Sequence, residues 1–137
     1  MERKMRTLKI SLLVLLLSIA ISAQNFWEQP FGPTGTIIRT LAVNSGNDIY
    51  CGLLYGKGIF RSTDNGFSWI DVNNELTNLS ILSIAVNTND LIFAATEDGI
   101  VRSLNNGVDW EPVDNGLLYG NVDQLEIGSD DFIVAGT

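Results

Sequence analysis

The feature that most constrains this chain is that it repeats itself. Ser62-Thr63-Asp64-Asn65-Gly66-Phe67-Ser68-Trp69 returns as Ser103-Leu104-Asn105-Asn106-Gly107-Val108-Asp109-Trp110, 41 positions later. Gly58-Ile59-Phe60-Arg61-Ser62 returns as Gly99-Ile100-Val101-Arg102-Ser103 at the same spacing. Asp90-Leu91-Ile92-Phe93-Ala94-Ala95-Thr96 returns as Asp131-Phe132-Ile133-Val134-Ala135-Gly136-Thr137. Leu41-Ala42-Val43-Asn44 matches Ile84-Ala85-Val86-Asn87, and then Leu125-Glu126-Ile127-Gly128. Self-similarity at a period near 40 residues marks a repeat architecture, in which each unit buries its apolar face against the next.

Each unit reads as four short strands. In the first complete unit they lie around Leu41–Asn44, Asp48–Leu53, Gly58–Ser62 and Trp69–Val72. The runs are rich in β-branched and aromatic residues and are punctuated by Gly, Asn and Asp, and no stretch after the first 23 residues keeps a helical period. Four strands in about 40 residues is the spacing of a propeller blade. The expected fold class is therefore all-β, a partial β-propeller of about two and a half blades with an unclosed ring. Its parts are an outer strand 26–29, a blade 38–72, a blade 81–113 and a half blade 122–137. Cys51-Gly52, Ala94-Ala95 and Ala135-Gly136 share one position in the second strand, where small residues let neighbouring blades approach.

Ser62, Asp64, Gly66 and Trp69 fit Ser-x-Asp-x-Gly-x-x-Trp, which resembles the Asp-box of sialidase-type, or bacterial neuraminidase, repeats. Ser103, Gly107 and Trp110 fit it again, with Asn105 standing where the box has Asp. The likeness extends to photosystem-assembly-factor-like and xyloglucanase-type propellers. It implies a structural role for these eight residues, in a turn at the blade periphery between the third and fourth strands and away from the ligand face. Asp64 or Asn105 can accept hydrogen bonds from the turn's own amides. Gly66 and Gly107 supply a backbone conformation closed to residues with a Cβ. Trp69 and Trp110 begin the outer strand and can lay their rings over the turn. Asn105 keeps the carbonyl acceptor and loses the charge.

A segment of another kind precedes the repeat. Arg3, Lys4, Arg6 and Lys9 lead into an apolar run, Ile10–Ala23, too short for the roughly 20 residues that span a bilayer. This is a secretory signal pattern, a signal peptide over 1–23 cleaved after Ala23. No Cys follows it, which speaks against a lipid anchor. The expected location is periplasmic, cell-surface or extracellular.

Removing 1–23 leaves 4 basic and 15 acidic residues, a net charge of −11. So acidic a surface repels phosphate backbones and anionic headgroups, so neither nucleic acid nor membrane is an expected partner. The chain has no His, which excludes His triads, His general bases and most zinc sites from these residues. Its single Cys, Cys51, cannot form an internal disulfide and reads as a small buried hydrophobe. No cofactor or metal site is expected.

The phase of the repeat is informative. Trp27 aligns with Trp69 and Trp110, so the chain after 1–23 opens on a fourth-type strand and ends at Thr137 after a second-type strand. Propellers close by letting one terminus complete the blade begun by the other. The expectation is a fragment of a longer propeller, against the alternative of a small domain complete as it stands.

Enzyme chemistry finds little support in these residues. A sialidase needs an arginine cluster, a Tyr nucleophile and a supporting acid, and only Arg39, Arg61 and Arg102 follow the signal. Arg61 and Arg102 are repeat positions, and no Arg-Ile-Pro motif is present. Paired carboxylates of the xyloglucanase kind could come from Asp48, Asp90, Asp130 or Asp131 on ligand-face loops, where solvated turn residues are the simpler reading. Asn87-Thr88-Asn89-Asp90 and Gly128-Ser129-Asp130-Asp131 lack the ligand pattern of a calcium loop. Asn78-Leu79-Ser80 is a glycosylation sequon. Tyr50, Tyr55, Tyr119 and Phe31 could line a groove, Tyr55 and Tyr119 being the exposed pair beside Gly. The expected function is a secreted, non-catalytic binding or scaffold module recognising a protein or a glycan. The alternative is the N-terminal part of a glycoside hydrolase whose catalytic residues lie in further blades.

Overall fold

A computed structural model describes residues 32–33, 37–117 and 120–137. The expected signal peptide 1–23 and expected outer strand 26–29 with Trp27, and also Phe31 and Tyr119, lie outside the described residues. Among the described residues there is no helix, and ten strands form three antiparallel sheets. The first sheet orders β1 (Ile38–Val43), β2 (Ile49–Leu53), β3 (Gly58–Ser62) and β4 (Ile70–Asp71). The second orders β5 (Ile81–Val86), β6 (Ile92–Thr96), β7 (Gly99–Ser103) and β8 (Glu111–Pro112) in the same sequence. A hairpin of β9 (Gln124–Ile127) and β10 (Ile133–Gly136) forms the third.

The two full sheets share irregularities as well as order. The β1–β2 register shifts between Ile38 and Thr40, and the β5–β6 register shifts at the matching place, between Ile81 and Ser83. Beyond that shift pairing continues, which carries the first strands further toward the N-terminus than the apolar pattern around Leu41–Asn44 suggests. The fourth strands start one residue later than expected, at Ile70 and Glu111. Each tryptophan stays in the turn, where its indole N–H finds a carbonyl: Gly66 for Trp69 and Val72 for Trp110.

The sheets stack face to face through their first strands, β1 on β5 and β5 on β9. Alternation along the strands sends Thr40, Ala42, Tyr50 and Gly52 toward the second sheet, and Ile84, Ile92 and Ala94 back toward the first. Tyr50, Ile59, Val72, Ile81, Ile84, Ile92, Ala94 and Trp110 make that core. Phe93, Ala95, Ile100, Val122 and Leu125 make the core between the second and third sheets. Full burial of an Ile such as Ile81 is worth about 1.5–3 kcal/mol, so the stack is held mainly by these layers.

Gly52 shows why small residues recur in the second strand. A Cβ there would stand 2.4 Å from Ile81 Cγ2 and 2.6 Å from Thr40 Cγ2, closer than any packed carbon pair. The missing side chain is the space that Ile81 fills. On the outward faces Leu41 is 61% exposed and Val134 64%, where their repeat counterparts Ile84 and Phe93 are buried, while Cys51 and Leu53 beside Leu41 are fully buried.

Candidate functional site

In an antiparallel sheet of this order, the β1–β2 and β3–β4 turns lie at one end and the β2–β3 turn at the other. The two octapeptides form the β3–β4 and β7–β8 turns. In each, a serine hydroxyl anchors the loop: Ser62 Oγ accepts from the Gly66 N–H at 2.8 Å, and Ser103 Oγ accepts from the Gly107 N–H at 2.8 Å. Asn65, Gly66, Asn106 and Gly107 all have positive φ, which the tight turn requires. Asp64 Oδ1 accepts from the Ser68 N–H at 2.8 Å and from Ser62 Oγ at 2.8 Å. Asn105 Oδ1 accepts from the Asp109 N–H at 2.9 Å and from Ser103 Oγ at 3.0 Å.

The substitution of Asn105 for Asp does not remove charge from the turn. In the first turn Ser68 Oγ donates to Asp64 Oδ2. In the second, Asn105 Nδ2 donates to Asp109 Oδ2 at 3.0 Å. Donor and acceptor have exchanged positions, and the carboxylate has moved four residues along. The expectation that the charge is lost is corrected by Asp109. The tryptophans differ as well: Trp69 is half-buried over its own turn, whereas Trp110 is buried and reaches the first sheet.

The acids considered for paired-carboxylate chemistry lie at this same end, not on the face opposite the octapeptides. Tyr50 Oη and Asn44 Nδ2 both approach Asn106 in the second octapeptide, which places the β1–β2 turn beside it. Asp48 is engaged by Arg61, whose Nε and Nη2 donate at 3.1 and 2.5 Å. Asp90 accepts from the Ser45 N–H and from Ser45 Oγ, at 2.8 and 2.5 Å. Asp131 accepts from the Thr88 N–H and Thr88 Oγ1, at 3.0 and 2.7 Å. Asp90 and Asp131 are therefore clasps between neighbouring sheets, a role that turn propensity alone does not reveal. Those hydrogen bonds hold both carboxyls below the usual carboxylate range, and bonds from Ser68 and Ser62 do the same for Asp64. Asp130 is exposed in the β9–β10 turn.

The remaining candidates are dispersed. Arg102 donates to Glu111 rather than to an acid matching Asp48. Arg39 is exposed on β1. Tyr50 is buried, with Arg61 stacked 5.9 Å from its ring centroid, and burial raises its hydroxyl pKa against the opposing pull of Arg61. Burial likewise pushes the Cys51 thiol up to about 11. Among the described residues no group of His, Cys, Asp and Glu could hold a metal. A cleft beside the second octapeptide is walled by Glu75, Asp109, Glu111 and Arg102, with Trp110 at its base.

Among the described residues the opposite end holds one exposed aromatic. Leu54-Tyr55-Gly56-Lys57 connects β2 to β3, whereas only Glu97-Asp98 connects β6 to β7. This two-residue insertion explains why Leu41 and Ile84 lie 43 apart while Gly58 and Gly99 lie 41 apart. Tyr55 sits in it at φ 63 and Gly56 at φ 76, the sign pattern of a type I′ turn with a bulky residue at its first central position. Tyr55 is 77% exposed. The turn is held from below on both sides: the Leu54 N–H donates to Ile37 O at 3.1 Å, and the Gly58 N–H to Leu79 O at 2.8 Å. Asn73 braces it further, accepting from the Ile59 N–H at 2.7 Å and donating to Lys57 O at 3.3 Å.

No family model and no curated protein matches the chain. Solved structures do. One is an extracellular domain assigned to the hybrid two-component system BT4673 of B. thetaiotaomicron, at a TM-score of 0.63 and 15% identity over 80% of this chain. A second, assigned to the system BT3049 of the same organism, gives 0.63 and 15% over 82%. The likeness is one of fold. This chain spans about a sixth of either structure, covering 16% of the first and 17% of the second.

Proposed function

We propose that the chain is an arc of an exported β-propeller built from Asp-box blades, and that it acts as a non-catalytic binding module. Three stacked sheets in register support the propeller reading, with the octapeptide turns at one end of each full sheet. Fold likeness to extracellular sensor domains supports export and recognition, without choosing the ligand.

One observation carries the binding surface: the inserted turn that lifts Tyr55 into solvent at the end away from the octapeptides. An aromatic held in a left-handed backbone, on a turn hydrogen-bonded to the sheets, presents a flat apolar face at low entropic cost. Lys57, Glu97 and Asp98 at the same end offer hydroxyl-binding groups. The strongly acidic surface disfavours anionic ligands, which leaves a neutral glycan as the best-fitting ligand.

The test is a glycan array of neutral and anionic oligosaccharides probed with the full chain, followed by calorimetric titration of the best binder. Binding to neutral glycans that falls about tenfold or more in Tyr55→Ala supports the reading, since stacking of this kind is worth on the order of 1 kcal/mol or more. Binding that is unchanged by Tyr55→Ala, or silence across the array, overturns it.

A further inference from the structure

Asn-Gly occurs three times, at Asn65-Gly66, Asn106-Gly107 and Asn115-Gly116. The pair matters chemically because glycine, lacking a Cβ, lets its backbone nitrogen swing onto the carboxamide carbon of the preceding Asn. That attack needs a free glycine N–H, since a nitrogen whose proton is held in a hydrogen bond is shielded from base and unable to turn. The fold treats the three pairs differently. Gly66 and Gly107 are buried, and their N–H groups donate to Ser62 Oγ and Ser103 Oγ at 2.8 Å. Their asparagines are both held at φ 59. Asn115 and Gly116 are exposed, and among the described residues the Gly116 N–H has no hydrogen-bond partner. A Cβ at Gly116 would meet nothing within 4 Å, so the nitrogen has room to move.

This openness belongs to the turn itself. Asn73-Asn74-Glu75-Leu76 is its counterpart 41 residues earlier, at the end of the first sheet, against which the second sheet is stacked. The same bond closes both turns, from the Leu76 N–H to Asn73 O at 3.1 Å and from the Leu117 N–H to Asp114 O at 3.0 Å. Each has a left-handed third residue, Glu75 at φ 63 and Gly116 at φ 100, the sign pattern of a type II turn. Asn74 and Glu75 stay exposed although their sheet has a neighbour, and the Glu75 N–H likewise has no partner among the described residues. What differs is the residue after Asn. The first sheet has Glu there, whose side chain hinders the attack, and the second has Gly.

We infer that Asn115 is a site of spontaneous covalent modification, and that the octapeptide serines shield Asn65 and Asn106 from the same reaction. The Gly116 nitrogen gives its proton to solvent base and forms a bond to Asn115 Cγ. The Cγ–Nδ2 bond breaks, and Nδ2 takes up a proton and leaves as ammonia, closing a succinimide ring. Water then opens the ring. Breaking the new bond to Cγ yields aspartate at this position; breaking the bond to the main-chain carbonyl carbon yields isoaspartate, whose backbone runs through Cγ. Either product carries a new negative charge. β8 runs antiparallel to β7, so the turn after it lies at the end of the stack where β6 joins β7, and Asp114 Oδ2 stands beside Gly99. The charge therefore appears on the same end as the exposed Tyr55.

Peptide mapping by mass spectrometry tests this on the full chain held folded at mildly alkaline pH, beside the same chain unfolded in urea. Conversion is read as a fragment heavier by the difference between water and ammonia. In urea the three pairs convert at similar rates, because each is Asn followed by Gly. In the folded chain Asn115 converts about tenfold or more faster than Asn65 or Asn106, the factor that one retained buried hydrogen bond supplies. Ser62→Ala raises conversion at Asn65 in the folded chain, while Asn106 and Asn115 keep their rates. Conversion of all three pairs at one rate in the folded chain overturns the inference, as does an Asn115 that is inert there yet reacts in urea. Equally slow conversion at Asn65 and Asn106 in Ser62→Ala removes the shielding role of the serine. The measurement uses no ligand, so its failure is separate from any failure of the Tyr55 surface.

Discussion

The indole N–H of Trp110 donates to the backbone carbonyl of Val72, 2.8 Å away in the neighbouring sheet. The equivalent Trp69 donates to Gly66 within its own turn, at 3.1 Å. One letter in one motif thus does two jobs: it closes a turn in the first copy and ties two sheets together in the second. The missing Cβ of Gly107 lets Val72 approach, since a Cβ there would lie 3.2 Å from Val72 Cβ.

Unequal costs for the two tryptophans are the first expectation. Trp110→Phe keeps most of the apolar area but strands a buried carbonyl, at a cost of about 1–3 kcal/mol. Trp69→Phe costs less, because Trp69 is only half-buried and its bond to Gly66 lies partly within reach of water. Urea unfolding of the two variants checks this, and equal losses would contradict it.

The close approach at Gly52 makes a sharper demand. Gly52→Ala forces its new methyl against Ile81 and Thr40, and overpacking of this kind costs about 1–3 kcal/mol. In an Ile81→Ala background the same change is tolerated better, by on the order of 1 kcal/mol of coupling. A double-mutant cycle with no coupling would show that Ile81 does not fill the Gly52 space.

Restoring the octapeptide consensus should harm the protein. Asn105→Asp sets a second carboxylate against Asp109, whose Oδ2 now accepts from Asn105 Nδ2. The unfolding midpoint falls in Asn105→Asp and recovers in Asn105→Asp/Asp109→Ser, which rebuilds the arrangement of Asp64 and Ser68. A consensus variant more stable than the parent would refute the exchange.

Acid stability follows from the carboxyls that the folded state holds low. Asp64, Asp90 and Asp131 are stabilised as carboxylates by their serine and threonine donors. Their contribution is complete above the unfolded value of about 3.9 and is lost as pH falls through their lower folded values. Stability should therefore decline below about pH 4, and the decline should be shallower in Asp90→Asn/Asp131→Asn. Urea midpoints measured down the acid range read this directly; an unchanged slope in the double variant would remove the clasps from the account.

The Cys51 thiol supplies a probe of opening. Buried and with its pKa pushed up to about 11, it stays protonated near neutrality. A disulfide reagent should label it only through unfolding, at a rate that climbs with urea. Rapid labelling of the native protein would mean that β2 is open to solvent.

Much of the architecture is legible in the letters, because repetition reports itself. The four-strand units, the small residues at Gly52 and Ala95, and the exposed Tyr55 beside Gly56 all follow from local pattern. The clasps do not. Asp90 after Asn89 is an ordinary turn pair, and its partner Ser45 lies 45 residues away in a different sheet. The end of the sheet on which Asp48, Asp90 and Asp131 sit depends on strand order across the sheet, which no single turn encodes. The difference between Trp69 and Trp110 is invisible for the same reason: their letters match and only their neighbours differ.

The length of the β2–β3 turn has a consequence of its own. The stacking residues of the first two strands, the clasps and the octapeptides all lie outside residues 54–57, and the shift from 41 to 43 residues leaves every one of them in register. A lineage could lengthen, shorten or rewrite residues 54–57 and keep the same scaffold beneath them. Changes there would be tried by natural selection on contact with the outside world, almost free of the demands of folding.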